Sequence, residues 1–164
     1  MNHILKIPIR YLPSQLTRKD RKKQLLGLAK SRKAYAKGKY IPRPKVASFK
    51  SKKSKHILLA EKIYNVERIL PSKELARKTQ CSIAALKQIV KKGEGAYYSS
   101  GSRPNQTARS WGLARLASSI TGGKASAVDY AILERGCDHK TSRAYRLAKS
   151  PSFGRRHTKR VAVH

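Results

Sequence analysis

A mainly α fold is predicted: a small helical core containing a helix-turn-helix-like pair, flanked by extended basic N- and C-terminal arms. Three observations carry this. Apolar residues recur at helical spacing across 56–136, with Ser, Thr and Gly where helices would start and stop. Charge is uneven: residues 1–60 hold 18 Lys+Arg and one acid, Asp20, residues 61–138 hold 13 against 7, and residues 139–164 hold 8 against none. A hydrophobic fraction of 39% over 164 residues leaves room for one modest core rather than two. The expected organisation is a basic arm with one helix and a linker over 1–55, a globular helical core over 56–136, and a basic tail over 137–164.

Taken in order, residues 4–9 alternate around Pro8 and suggest an edge strand or extended arm. Thr17 caps a helix from Arg18 to Lys37, Asp20 favours its positive end, and Gly38 stops it. Leu25, Leu28, Ala29, Arg32, Tyr35 and Ala36 form a thin stripe that needs a packing partner. Tyr40 to Lys55 reads as a linker, with Pro42, Pro44 and many Lys/Arg, and with nothing to form a core. Tyr35, Tyr40 and Phe49 either stack on bases or anchor the arm on another surface. Ile57, Leu58, Ile63 and Tyr64 mark a short helix, and Val66, Ile69 and Leu70 lead into Pro71.

Ser72 then caps a helix from Lys73 to Thr79, and Ser82 caps a second from Ile83 to Lys92, closed by Gly93. Leu75, Ala76 and Thr79 face inward from the first, Leu86, Ile89 and Val90 from the second, and Cys81 fills the turn. This spacing resembles the helix-turn-helix of lac-repressor-like regulators, with Gln80 where glycine is usual, so that Gln80 must adopt a left-handed backbone. The resemblance implies a second helix in the major groove that offers Lys87, Gln88, Lys91 and Lys92. Ile83, Ala84 and Ala85 at its start carry no donors for base edges, which points to phosphate contact rather than sequence reading. The alternative is an ordinary pair of core helices.

Residues 92–107 read as a Gly/Ser-rich loop in which Arg103 either meets a phosphate or ties the loop together. Thr107 caps a helix to about Ile120, with Trp111, Leu113, Leu116, Ala117 and Ile120 buried and Gly122-Gly123 as stop. Ser126 starts another, Ala127 to Arg135, with Asp129 in its first turn, Val128, Tyr130, Ile132 and Leu133 in the core, and Gly136 as stop. His139 to His164 is expected to lack structure until it meets a polyanion.

A net charge of +31 far exceeds what solubility needs, so a polyanionic partner is implied: nucleic acid, an anionic membrane surface or an acidic protein face. The candidate contacts are Arg18, Lys19, Arg21, Lys22, Lys23, Arg32 and Lys33 on the first helix, then Lys50, Lys52, Lys53 and Lys55 in the linker. Lys87, Gln88, Lys91, Lys92 and Arg103 follow in the core, and Arg155, Arg156, Lys159 and Arg160 in the tail. No catalytic, cofactor or metal site is expected, nor a small-molecule substrate. Eight acids are few for a metal-dependent nuclease, and Cys137-Asp138-His139 lacks zinc-ligand spacing. Cys81 and Cys137 fit no disulfide framework, so a reducing intracellular setting is expected. No stretch approaches the ~20 apolar residues of a membrane span, and residues 1–13 lack the apolar run of a secretion signal.

The segment Lys92-Gly-Glu-Gly-Ala-Tyr-Tyr-Ser-Ser-Gly-Ser-Arg-Pro-Asn-Gln-Thr107, continued by Ser110-Trp-Gly-Leu-Ala-Arg-Leu-Ala-Ser-Ser-Ile-Thr-Gly-Gly-Lys-Ala125, Val128-Asp129 and Gly136-Cys137, resembles the signature of a basic protein family of large eukaryotic double-stranded DNA viruses, the chlorella-virus and mimivirus-like groups. The resemblance implies a small structural protein carried in the virion, and it supplies no catalytic residue. Its expected partners are genomic double-stranded DNA and other capsid or virion proteins. Two alternatives stand beside DNA gripping: a minor capsid protein whose arms thread between capsomers or lie on an inner membrane, and a DNA-binding regulator using residues 71–92.

Overall fold

The computed structural model describes residues 5–150 and 160–163 and is mainly α, with eight helices and one two-stranded sheet among them. Side-chain caps set several helix starts, each hydroxyl accepting from a backbone N–H of the first turn. Thr17 caps α1 (Arg18–Ala36), Ser54 caps α2 (Lys55–Tyr64), Ser72 caps α3 (Lys73–Thr79) and Ser82 begins α4 (Ile83–Ser99). After α5 (Ala108–Ile120) and α6 (Lys124–Val128) comes α7 (Tyr130–Gly136), and Ser142 caps α8 (Arg143–Lys149). Strand β1 (Leu5–Pro8) runs antiparallel to β2 (Arg160–Val163), pairing Leu5 with Val163 and Pro8 with Arg160.

The chain forms two compact units, each made of separated stretches. The first gathers residues 1–52, 96–108 and 156–164, and the second 53–95 and 109–155. These bounds differ from the expected 1–55, 56–136 and 137–164. The N-terminal segment is no free arm, because residues 96–108 complete its unit. The tail is also shorter than expected: α8 buries Ala144, Tyr145 and Ala148 in the same apolar cluster as Leu75, Leu86 and Leu116, so the core extends to residue 149.

In the first unit α1 ends as expected, with Gly38 left-handed and the N–H groups of Gly38 and Lys39 donating to the carbonyls of Tyr35 and Ala34. Its buried face is Gln24, Leu28, Ser31 and Ala34, whereas Ala29 and Ala36 of the expected stripe are exposed. Polar residues can line that face because it packs on backbone carbonyls. Gln24 donates to Tyr11 and Ser102, and Ser31 to Tyr98. The linker is also tied down: Asn105 accepts from the Val46 N–H and donates to the carbonyls of Val46 and Phe49, and Val46 is buried.

In the second unit the helix-turn-helix pair forms, with Leu75, Thr79, Leu86, Ile89 and Val90 buried and Gln80 left-handed at φ 55°. Gly93 does not close the second helix, which runs on to Ser99. Gly93 serves close approach instead: a Cβ there would lie 2.7 Å from Gly112 Cα, and one on Gly112 would lie 2.6 Å from the Val90 carbonyl. The helix expected over Ala127–Arg135 is split at Asp129 into α6 and α7, which leaves Val128 exposed rather than in the core.

Cys81 and Cys137 form a disulfide across an isolated antiparallel bridge, where Ser82 N–H donates to Gly136 O (2.7 Å) and Asp138 N–H to Gln80 O (2.9 Å). This overturns the expectation of two reduced thiols and removes its support for a reducing compartment. The two backbones meet only through the fold, 56 residues apart, so no short spacing announces the bond. Cross-linking so long a loop restricts the unfolded chain, and the double Cys→Ala variant is expected to lose about 2–4 kcal/mol. Urea unfolding with and without reductant measures this; equal midpoints would show that the bond adds nothing.

Candidate nucleic-acid interface

Charge separates by unit. The first carries 20 Lys+Arg against one acid, Asp20, and the second carries 19 against seven. Asp20 is already engaged: its Oδ2 accepts from the Ser48 N–H (2.8 Å) and hydroxyl (2.5 Å). Those bonds hold its pKa below the ordinary carboxylate value, the hydroxyl bond contributing most.

The fold sorts the basic residues of α1 into two groups. Held by carbonyls of their own unit, Arg21 donates to Leu12 O (3.4 Å), exposed Lys23 to Lys45 O (2.9 Å), and half-buried Arg32 to Ser100 O through both Nε (2.9 Å) and Nη2 (2.6 Å). Opposite the buried face, Lys19, Lys22, Lys30, Lys33 and Lys37 follow helical spacing with exposed Leu26, and Arg18 is exposed beside them. This ridge is about 27 Å long at the helical rise. Lys30 and Lys37 were missing from the expected contacts, although a seven- to eight-residue period running from Lys22 through Lys30 to Lys37 was there to be read.

Behind α1 lies a set of guanidinium groups with like-charged rather than acidic neighbours. Arg43 donates to Ser31 Oγ (3.0 Å), Tyr97 O (2.7 Å) and Ser102 Oγ (2.8 Å), with its Cζ 3.8 Å from the Tyr97 ring centroid. Burial pushes the pKa of Arg43 and Arg32 down from the ordinary value; Arg32 adds to this at Arg43, and Arg160 at Arg32. It is Arg43, absent from the expected contacts, that ties the 97–102 segment together. Arg103 is exposed at the surface, although partial burial, with Arg10 nearby, holds its pKa below the ordinary value. Lys50 and Lys52 are exposed as well.

In the second unit, Lys87, Gln88 and Lys91 share the outer face of α4 with Ala84, whereas Ala85 is buried against Gly136. Lys55 is exposed, and Lys53 pairs with Glu61 at 2.8 Å. Lys92 is only partly available, its Nζ lying 3.4 Å from Asp129 Oδ1. Asp129 was expected to favour a helix start, but its side chain caps nothing. Fully buried, it accepts from Arg115 Nε (2.9 Å) and Nη2 (2.7 Å) and from Ser119 Oγ (2.7 Å). Arg115 and Ser119 stand four apart on α5, a spacing that hints at a shared partner. Arg143 and Arg146 add exposed charge on α8. Arg160 is exposed in β2, while Arg155, Arg156 and Lys159 lie outside the described residues.

Among the described residues, no three His, Cys, Asp or Glu side chains gather as metal ligands, and no helix is long and apolar enough to cross a membrane. A family model described as a family of unknown function (DUF5824) matches residues 8–136. No curated protein and no solved structure matches the chain.

Proposed function

The chain belongs to the DUF5824 family of unknown function, and we propose that it is a non-enzymatic structural protein of a large DNA virus that grips polyanions, above all genomic double-stranded DNA. One observation carries this reading: five lysines form an exposed ridge along α1 and its C-cap, within a unit that holds a single, already hydrogen-bonded acid. Self-repulsion at that density is relieved when phosphates lie against it. The outer face of α4 adds Lys87, Gln88 and Lys91 as backbone contacts, and Ala84 at its start brings no donor for bases. Replacing Lys19, Lys22, Lys30 and Lys33 by Ala tests the reading. Each lysine that neutralises a phosphate contributes about 0.9 to the slope of log affinity against log salt. The variant is expected to lose about 3 to 4 from that slope and to weaken alike on every duplex sequence. An unchanged slope rejects the ridge as the interface.

A second reading, a minor capsid protein, draws on α2, where Leu58 and Leu59 stand exposed side by side (51% and 41%) as apolar surface suited to a protein neighbour. Imaging of the particle separates the two. A symmetric place in the shell favours the capsid role, and diffuse internal density favours DNA gripping. A regulator reading through residues 71–92 requires a consensus to emerge from random duplexes.

A further inference from the structure

We propose that Tyr40, braced by Tyr35 and Tyr98, is a stacking site for an unpaired nucleobase, so that the first unit holds single-stranded nucleic acid by its bases as well as by its phosphates. The proposal rests on the polyanion reading and adds a ligand class to it.

Tyr40 is 65% exposed, more than the partial burial usual for tyrosine. It does not hang loose. Its ring centroid lies 5.9 Å from that of Tyr35 and 5.3 Å from that of Tyr98, both edge-on, and Tyr98 in turn meets buried Tyr97 at 5.0 Å. The backbone on either side is fastened as well. Lys39 N–H donates to Ala34 O in the cap of α1, and Arg43 N–H donates to the Tyr97 hydroxyl (3.1 Å). An aromatic ring held ready in solvent has already met the ordering cost that weakens most exposed contacts.

Chemistry around the ring selects the occupant. Lys33, Lys37 and Lys39 are exposed on the same stretch, the last next to Tyr40 in sequence, and the unit's one acid is committed to Ser48. A ligand here must therefore bring negative charge and a flat face together. Unpaired bases on a phosphate backbone do both, and every base has a π-face, so no particular sequence is required. Bases inside a duplex are stacked on one another and present only their edges. A cationic or apolar protein segment lacks the charge.

The test uses the whole protein and three fluorescent ligands of equal phosphate number: a thymidine strand, the same strand with abasic sites in place of the bases, and a duplex. Anisotropy at one salt concentration is expected to show Tyr40→Ala weakening the thymidine strand roughly 5- to 150-fold. The abasic strand and the duplex should change less than about twofold, because their contacts are electrostatic. Tyr40→Phe keeps the ring and should bind like the unchanged protein. The abasic strand should also bind the unchanged protein more weakly than the thymidine strand, a comparison that needs no variant. Equal losses on all three ligands, or none, overturn the stacking site while leaving the polyanion reading intact. If the unchanged protein binds none of the three, both fall.

Discussion

Raising salt from about 50 to 200 mM is expected to weaken duplex binding by roughly 10³–10⁵. The size follows from counting. Lys19, Lys22, Lys30, Lys33 and Lys37 on the ridge, with Arg18, Lys39, Lys50 and Lys52, are nine of the exposed cations in the first unit. Neutralising about 6–10 phosphates releases as many condensed counterions, and returning them to a saltier solution gains progressively less. The ridge exceeds the Debye length of about 10 Å at 0.1 M salt, so its lysines act as separate contacts rather than as one lumped charge. Arg21, Lys23 and Arg32 should add little, since carbonyl oxygens of their own unit already hold them. A titration series followed by anisotropy gives the slope directly. Affinity that stays flat across this range would end the polyanion account.

Arg115→Met is expected to cost about 3–5 kcal/mol of folding stability, because it strands the Asp129 carboxylate inside the second unit. Two of the shortest contacts to that carboxylate come from Arg115; what remains is the Ser119 hydroxyl and a Lys92 ammonium at 3.4 Å. The contrast lies in the double variant. Replacing Asp129 with Leu in the same chain removes the unpaired charge, and stability should return to near its original value, since a well-packed apolar pair often matches a buried ion pair. Denaturant melts of the two single variants and the double measure the coupling. Additive losses would mean that Arg115 and Asp129 do not act as a unit.

What could be read from the sequence was local. The caps at Thr17, Ser72 and Ser82 and the stop at Gly38 follow from chemistry within four residues, and all four stand in the fold. Gln80 was identifiable as left-handed because it stands where the resembled helix-turn-helix usually has glycine, and its φ is 55°. Failures came where a residue's role depends on a distant partner. Gly93 looked like a stop because glycine commonly ends helices, yet the bare backbone of Gly112 makes it a point of contact. Gln24 and Ser31 were hidden by their polarity, since a face that packs on carbonyls carries no apolar period. Asp129 resembled a helix start until Arg115 came into place, and the two cysteines were judged by number and spacing rather than by proximity in the fold. At the candidate interface, spacing located the basic helix but not which of its cations would remain outside.

The discontinuous make-up of the first unit bears on how the chain is made. Its most highly charged stretch leaves the ribosome before the rest of the unit, and the acceptors for Arg32 and Arg43 at Ser100, Tyr97 and Ser102, and the Asn105 that fastens Val46, are translated 54 to 68 residues later. Until then Arg32 lacks its Ser100 acceptor, and Arg43 has Ser31 but neither Tyr97 nor Ser102. The first unit therefore completes its internal hydrogen bonds only once residues 97–105 have been made.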